Sequence, residues 1–254
     1  MRTVPRENGA GHKIGRDLVF FAVKIKMFCV SMQPVTDAPF ELNPMKIKTC
    51  LLMLISGLTA CANPAPLFNG KTFEGWDGSI GSVWRIEDGA LTAGTLGSKQ
   101  AKNDFLATTK TFQNFDLTLK WKLEGTEGFV NGGVQFRSAR IPDHHEVIGY
   151  QADLGAGFDG ALYDESRRKK VLARPSPEVF AKAVKPLGEW NDYRIRAEGK
   201  RIQIWLNGVQ TVDYVEDEAG IADTGMIAVQ IHGNATSIVQ YKDLRIEELN
   251  QAAN

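Results

Sequence analysis

Three short stretches of the sequence each carry two polar residues at positions i and i+2. They are Gln135 with Arg137, Gln151 with Asp153, and Gln230 with His232. Residues two apart lie on the same face of a β-strand, so each pair is predicted to project from one side of its strand. Their side chains are short, directional hydrogen-bonding groups that suit sugar hydroxyls, unlike the lysines of an ordinary solvated face. The pattern predicts a glycan site, provided that the three strands are neighbours, which spacing alone does not establish.

Other residues near these pairs are candidates with a plainer alternative. A single histidine such as His232 is more often structural, and Asp153 could simply accept backbone N–H bonds at the start of a glycine turn. Arg167 lies close enough to Glu165 to be a site cation, or it belongs to a solvated basic turn. The adjacent histidines of His144-His145-Glu146 point apart on an extended loop, which favours a solvated loop over a metal site.

The segment Gly155-Ala156-Gly157-Phe158-Asp159-Gly160 matches the G-x-G-x-x-G dinucleotide fingerprint. That fingerprint requires a helix to open at the glycines, so that its N-terminus meets the pyrophosphate. Here Ala161-Leu162-Tyr163-Asp164 follows, which is typical of a strand, and no alternation of strands and helices surrounds it. We therefore predict no dinucleotide site, but a flexible turn whose glycines let the backbone pass close to a ligand or another strand.

The elements that must position these residues are strands. Apolar residues alternate with polar ones over 115–123, and the alternation recurs over 193–196, 202–206, 227–231 and 241–246. Asn207-Gly208 is a pair favoured in tight hairpins. One short helix is predicted over 176–184, where Ser176 caps and Pro177 opens it. Many short strands divided by turns predict an all-β, concanavalin A-like jelly-roll β-sandwich, a single domain with one short helix.

Composition excludes some partners. The 254 residues include 30 basic and 30 acidic ones, a net charge of zero, and 43% are hydrophobic. Because nucleic-acid-binding proteins normally show a basic excess, no nucleic-acid partner is expected. Of the three cysteines, only Cys61 is expected in the mature chain, so the domain is predicted to fold without a disulfide.

The stretch MKIKTCLLMLISGLTACANP at 45–64 has the features of a secretion signal. Two lysines precede an apolar run over 50–58 that is too short to span a bilayer. Leu58-Thr59-Ala60-Cys61 resembles the lipobox of bacterial lipoproteins, which predicts cleavage before Cys61 and lipidation of its thiol. An ordinary signal peptide with an incidental cysteine is the alternative.

These features divide the chain into four segments. Residues 1–44 are predicted to be a spurious N-terminal extension, 45–60 a lipoprotein signal peptide, 61–65 a linker and 66–248 the folded domain. Ala62 rather than Asp follows the cysteine, which predicts a cell-envelope protein anchored by lipid in the outer membrane of a Gram-negative bacterium.

A series of short motifs resembles the 3-keto-disaccharide hydrolase family, also described as 3-keto-glucoside-1,2-lyase/3-keto-2-hydroxy-glucal hydratase domains. In order they are Leu67-Phe68-Asn69-Gly70-Lys71, Gly75-Trp76, Gly132-Gly133-Val134-Gln135-Phe136-Arg137, Gly149-Tyr150-Gln151, Gly160-Ala161-Leu162-Tyr163, Gly188-Glu189-Trp190-Asn191, Leu206-Asn207-Gly208 and Gln230-Ile231-His232-Gly233. The resemblance covers roughly 66–248. It implies a concanavalin-like jelly roll, export, and activity on glycosides already oxidised at C3. Many relatives carry Glu then Gln where this chain has Gln151 and Asp153.

The chemistry of such a substrate suggests roles. The C3 ketone acidifies the C2 hydrogen, so a base can remove it while a donor stabilises the enolate and an acid assists the leaving oxygen on C1. We expect Asp153 as base, Glu165 or His232 as acid and Arg137 as enolate stabiliser. The expected substrate-binding residues are Gln135, Gln151, Tyr163, Arg167 and Gln230.

The expected partners are an oligosaccharide or glycoside substrate, the membrane through the lipid anchor, and a sugar 3-dehydrogenase as a functional link. No cofactor is predicted, and the question of a metal ion is left open. A non-catalytic glycan-binding lipoprotein is the alternative from another class, motivated by the amide at Gln151 in place of a carboxylate. A purely structural envelope protein is a third, weaker interpretation.

Overall fold

The computed structural model describes residues 64–250. The predicted extension over 1–44, the signal peptide over 45–60 and the lipidated Cys61 lie outside the described residues. Fifteen strands and one helix are assigned in the described part. In chain order they are β1 (Ala65–Pro66), β2 (Trp76–Asp77), β3 (Trp84–Glu87), β4 (Ala90–Gly94), β5 (Asp104–Phe112), β6 (Phe115–Gly128), β7 (Asn131–Arg140), β8 (Val147–Gly155), β9 (Leu162–Glu165), β10 (Lys170–Ala173), α1 (Pro177–Ala183), β11 (Asn191–Glu198), β12 (Arg201–Leu206), β13 (Val209–Val215), β14 (Gly225–Ile231) and β15 (Ala235–Glu248).

The strands form two antiparallel sheets that enclose one main core. The eight-stranded sheet has the order β13-β12-β11-β6-β15-β4-β3, with β1 paired to β15. The seven-stranded sheet has the order β10-β9-β8-β7-β14-β5-β2. Alternate residues of both sheets, such as Leu117 and Ile195 on one and Val134 and Val229 on the other, are buried in the same core. The predicted all-β sandwich is confirmed.

Local sequence signals explain several of the boundaries. Asn207 and Gly208 join β12 to β13 with φ angles of 51° and 80°, the conformation that Asn-Gly pairs favour. The side chain of Ser176 accepts a hydrogen bond from the backbone N–H of Val179, and Pro177 begins α1. With only 7 residues, α1 is short, and no helix within 64–250 is long and apolar enough to cross a membrane.

The far end of the β7–β8 hairpin bends over the outer face of the seven-stranded sheet. Arg137 has a φ of 47°, and the pairing of β7 with β8 shifts register between Phe136 and Ala139, which together mark a β-bulge. Beyond the bulge, Arg140 donates to the carbonyl of Phe105 on β5. Val147 packs in a second, smaller apolar cluster with Phe105, Ala107, Met226 and Ala228. The hairpin tip, residues 140–147, therefore covers part of β14 and β5.

Candidate functional site

The three strands that carry the polar pairs are neighbours, in the order β8-β7-β14. Asp153 lies opposite Gly133, and Gly133 opposite Gln230, so the register aligns the pairs across the sheet. A pocket of about 280 Å³ opens on this outer face. Its lining residues are Asn103, Phe129, Asn131, Gln151, Asp153, Phe158, Tyr163, Glu165 and His232. Five of the residues predicted from sequence thus meet in one cavity: Gln151, Asp153, Tyr163, Glu165 and His232.

A chain of buried hydrogen bonds orients the Asp153 carboxylate. The Ser138 hydroxyl donates to Gln135 Oε1 at 2.9 Å, Gln135 Nε2 donates to Gln151 Oε1 at 2.6 Å, and Gln151 Nε2 donates to Asp153 Oδ1 at 2.9 Å. Asn131 Nδ2 adds a longer contact, 3.4 Å, to the same oxygen. The amide at 151 is therefore a donor to the carboxylate two residues along the strand, a task that a glutamate could not perform when ionised.

The two carboxyl groups of the pocket are held with raised pKa values. Burial is the main cause for Asp153, raising its pKa to about 7 against the opposing effect of the Gln151 and Asn131 hydrogen bonds. Burial also raises the pKa of Glu165 to about 7, and the nearby charge of Glu146 adds to this. The pocket lining contains no lysine or arginine among residues 64–250. Both carboxyls can therefore exchange protons near neutral pH.

Glu146 reaches the site because the hairpin tip folds back. Its carboxylate accepts two hydrogen bonds from Asn103 Nδ2, at 3.0 and 3.2 Å, although the two residues are 43 positions apart. Asn103 in turn accepts from the backbone N–H of Gly233, next to His232. The segment 144–146 lies in a loop, as predicted, and His144 is exposed. The rings of His144 and His145 stack on each other instead of pointing apart, and Glu146 is half-buried beside the pocket.

The opening of the pocket is aromatic. Phe129 packs edge-on against His232, with 4.9 Å between ring centroids, and against Phe158 at 6.0 Å. The 2.7 Å contact between His232 Nδ1 and the Gly233 carbonyl is a hydrogen bond only when Nδ1 carries a proton. The neutral ring then leaves Nε2 as an acceptor. Two rings and an imidazole can pack against the apolar face of a sugar.

Arg137, the expected enolate stabiliser, does not lie in the pocket. The alternation that put it beside Gln135 fails, because the bulge turns its side chain away. Its guanidinium donates to the carbonyls of Gln113 and Gly199 and to Asn114 Oδ1, which joins two strand turns. Burial lowers its pKa from the usual value. Arg137 therefore makes structural contacts away from the pocket.

Arg167 also lies elsewhere. It pairs with the buried carboxylate of Asp164 and stacks on the ring of Tyr150, 4.7 Å from the centroid. Asp164 alternates with Glu165 along β9, so Arg167 lies on the opposite side of the sheet from the pocket. This placement does not support Arg167 as a cation of the site. It does not support a freely solvated turn either.

Gln135 and Gln230 share the outer face but do not line the pocket. Gln135 is fully buried and uses its amide in the chain of hydrogen bonds that ends at Asp153, so it positions a site residue instead of contacting the pocket. Gln230 is fully buried, and neither end of its amide has a hydrogen-bond partner within 64–250. A buried amide without a partner is unfavourable by about 1–3 kcal/mol.

The glycine-rich turn over 155–160 leads into β9 and not into a helix, as expected. Hydrogen bonds hold both of its ends. Asp159 Oδ1 accepts from the N–H of Gly155 at 2.8 Å, and Tyr193, from the other sheet, accepts from the N–H of Gly160 at 2.7 Å. A Cβ on Gly155 would lie 2.5 Å from Leu123 and from the Val130 carbonyl. The close backbone approach predicted for these glycines is present.

Four residues of the pocket lining were not predicted from the sequence: Asn103, Phe129, Asn131 and Phe158. Asn131 could have been predicted, because it continues the alternation of Gly133 and Gln135 along the same face of β7. The other three lie in turns or at a strand start, where no periodicity identifies them. No group of three or more His, Cys, Asp or Glu residues in the described part of the chain could hold a metal ion.

Structural comparisons support the fold. The chain is similar to a candidate glycosyl hydrolase from Parabacteroides distasonis, with 22% identity, a TM-score of 0.55, and coverage of 74% of this chain and 100% of that one. It is also similar to a carbohydrate-binding module of Bacillus subtilis, with 16% identity, a TM-score of 0.53, and coverage of 68% and 96%. A Bacillus subtilis protein with a galectin-like fold matches at 14% identity, with a TM-score of 0.51 and coverage of 76% and 98%.

No curated protein matches the chain. A family model does, over residues 63–247, and its description is a 3-keto-alpha-glucoside-1,2-lyase-like domain. This span includes all fifteen strands apart from Glu248, the last residue of β15, and all residues that line the pocket. The match makes the chain a carbohydrate-active protein, and it belongs to the 3-keto-alpha-glucoside-1,2-lyase-like family.

Proposed function

We propose that the protein is an enzyme that cleaves 3-keto-glycosides by elimination, followed by hydration to give net hydrolysis. The observation that carries the proposal is the pair of carboxyl groups in one pocket, Asp153 and Glu165, with pKa values near 7 and no cation in the lining. Two groups with such pKa values share about one proton at neutral pH, so one can act as base while the other acts as acid.

The base step fits Asp153. Its Oδ1 accepts the amide hydrogen bonds of Gln151 and Asn131, which leaves the second oxygen for a substrate proton. Removal of the C2 proton puts the electron pair into an enolate across C2, C3 and the ketone oxygen. The C1–O bond then breaks, and the leaving oxygen takes a proton, which gives an unsaturated 3-keto sugar and the free alcohol. Addition of water across the C1–C2 double bond completes the hydrolysis.

Glu165, which lines the same pocket, supplies the proton to the leaving oxygen; His232 does so only when its Nε2 carries a proton. With Arg137 directed elsewhere, the enolate needs another donor, and Tyr163 fits this role. Burial and the charge of Glu165 raise the pKa of the Tyr163 hydroxyl, so it stays protonated and can donate a hydrogen bond to the developing oxyanion.

The decisive experiment is incubation of the purified protein with methyl 3-keto-glucoside and with methyl glucoside. We expect methanol release from the keto-sugar only, because only the ketone acidifies the C2 hydrogen. No turnover of any 3-keto-glycoside would contradict the proposal. Detection of the unsaturated intermediate distinguishes elimination from direct hydrolysis.

A non-catalytic glycan-binding module remains the second candidate function. It is favoured by the aromatic opening of the pocket, where Phe129 and Phe158 offer two rings to a sugar. A sandwich of this kind also occurs in the carbohydrate-binding module of Bacillus subtilis. Saturable binding of intact keto-sugar, with no product after prolonged incubation, would support the module over the enzyme.

We further propose that the protein acts at the cell envelope, held by a lipid on Cys61 in the outer membrane, and that a sugar 3-dehydrogenase supplies its keto-substrate. The lipobox-like sequence before Cys61 supports the anchor. Cys61→Ala is expected to move the protein from the membrane fraction to the soluble fraction. Retention of that variant in the membrane pellet would contradict the anchor.

A further inference from the structure

A second cavity shares Phe129 with the site pocket. It has a volume of about 370 Å³, and we call it the end groove. Its lining residues are Trp121, Gly128, Phe129, Val130, Gly155, Ala156, Gly157, Asp159, Val184, Lys185, Pro186 and Leu187. Phe129 lines both cavities, and the glycine-rich turn contributes Phe158 to the pocket and its flanking glycines to the groove. One turn and one ring therefore separate the two cavities.

The end groove is apolar where the pocket is polar. Phe129 and Leu187 are large hydrophobic side chains that remain 42% and 56% exposed. The two ionisable residues of the lining are already engaged: Lys185 donates to the Trp190 carbonyl, and Asp159 accepts from Gly155. The groove therefore offers little to the hydroxyls of a second sugar, but it offers apolar contact to a hydrocarbon or aromatic group.

Two details describe the space beside the groove and its polar groups. The backbone at Gly157 has a φ of 79°, and a Cβ there would meet nothing within 4 Å, so the turn leaves open space beside the groove. Trp121 lines the groove, and its buried indole N–H has no hydrogen-bond partner within 64–250. Because this N–H is buried, an occupant of the groove does not reach it, and the lining offers mainly apolar contact.

We propose that the end groove is the subsite for the leaving group, and that the preferred substrates are 3-keto-glycosides of an aromatic alcohol. This inference rests on the proposed function. With the keto-sugar against Asp153 and Glu165, we place its C1 substituent towards Phe129, which lines both the pocket and the end groove. A ring attached to C1 can then pack on Phe129 and continue towards Leu187.

A matched pair of substrates tests the subsite. Methyl and phenyl 3-keto-glucoside carry the same sugar and differ only in the leaving group. We expect a higher kcat/KM for the phenyl compound, and we expect Leu187→Ser to reduce this preference about tenfold, mainly through KM, in the range that apolar contacts give. Val215→Ser is the matched control, because Val215 is 58% exposed on β13 and lines neither cavity. It should leave the preference unchanged.

Equal kcat/KM values for the two compounds, or an equal loss for both in Leu187→Ser, would overturn the subsite. Absence of turnover for both would instead refute the proposed function, and the subsite would then be judged by binding. Ligand-detected NMR titration with unoxidised phenyl and methyl glucoside needs no catalysis. Tighter binding of the phenyl glucoside, weakened by Leu187→Ser and not by Val215→Ser, supports the subsite; indistinguishable binding rejects it.

Discussion

Asp164 and Glu165 are adjacent on β9, yet their surroundings are opposite. Asp164 is completely buried on the inner side of the sheet, where Arg167 and Arg168 both pair with it. Glu165 points to the outer face, into a pocket whose lining has no lysine or arginine. The alternation of a strand thus separates, by one residue, a carboxylate paired directly with two arginines from one that forms no such ion pair in its pocket.

The same contrast appears in the groups around them. Burial alone would raise the pKa of Glu216, but hydrogen bonds from Arg168 and Tyr150 outweigh it and lower the pKa to about 2. In the pocket, burial outweighs the opposing effects, which are the Gln151 and Asn131 hydrogen bonds for Asp153 and include the charge of Lys169 for Glu165. The pKa values of both carboxyl groups rise to about 7. Partner charge, not burial, decides whether a carboxyl group of this protein stabilises the fold or is available for proton transfer.

The largest expected effect comes from disrupting the buried ion pairs of Asp164. Asp164→Asn removes the charge between Arg167 and Arg168, and we expect the free energy of unfolding to fall by about 3–5 kcal/mol, as for other broken buried ion pairs. Urea denaturation at pH 7 measures it. Asp213→Asn is the control, because Asp213 forms an exposed pair with Arg201 and should cost less than about 1 kcal/mol. Equal losses in the two variants would contradict the comparison.

The next largest effect concerns catalysis by the Asp153 carboxylate in the pocket. Asp153→Asn keeps the shape and can still accept the Gln151 hydrogen bond, but it removes the proton acceptor. We expect turnover of a 3-keto-glycoside to fall about a hundredfold or more, with sugar binding retained. Asp213→Asn should turn over normally. Normal turnover by Asp153→Asn would assign the base to Glu165 or His232 instead.

Asp153→Asn is expected to lower activity but to raise the stability of the fold. The folded pKa of Asp153, about 7, is above its ordinary value of 3.8. The favourable contribution of the protonated carboxyl is therefore complete below about pH 4 and is lost as the pH rises to 7. Asp153→Asn does not undergo this loss, because asparagine does not ionise. We expect its free energy of unfolding at pH 8 to exceed that of the parent protein by roughly 1–3 kcal/mol.

Urea denaturation at pH 4 and pH 8 tests this prediction. The gain should be small at pH 4, grow as the pH rises to 7 and level off above it. A variant that is less stable than the parent protein at pH 8 would show that the Asp153 charge is compensated in the fold.

The smallest expected effect concerns the influence of the Glu146 charge on the pKa of Glu165. Glu146→Gln removes a negative charge that raises the pKa of Glu165, while the new amide oxygen still accepts from Asn103. We expect the limb of the pH–rate profile governed by Glu165 to move to lower pH by a few tenths of a unit. Glu198→Gln, paired with Arg196 on the other sheet, should not move it. A shift to higher pH would contradict the assignment.

Much of the site could be predicted because strand alternation is local. Gln151, Asp153, Tyr163 and Glu165 lie on β8 and β9, where the period of two holds without interruption. The prediction failed at Arg137, because a bulge with positive φ interrupts β7 one residue after the core side chain of Phe136. Nothing in the local pattern around Arg137 marks that bulge.

The sequence by itself determined the class of fold, the absence of a helix after the glycine-rich turn, and the strand faces of most site residues. These follow from covalent geometry, which alternates side chains along any strand and restricts residues such as Asn207 and Gly208 to a turn.

The tertiary structure alone decided which carboxylates have partners. Glu146 meets Asn103 only because the hairpin tip folds across the sheet, and Asp164 meets Arg167 and Arg168 on the inner side. Burial of apolar surface sets these long-range contacts, and no local period in the sequence encodes them.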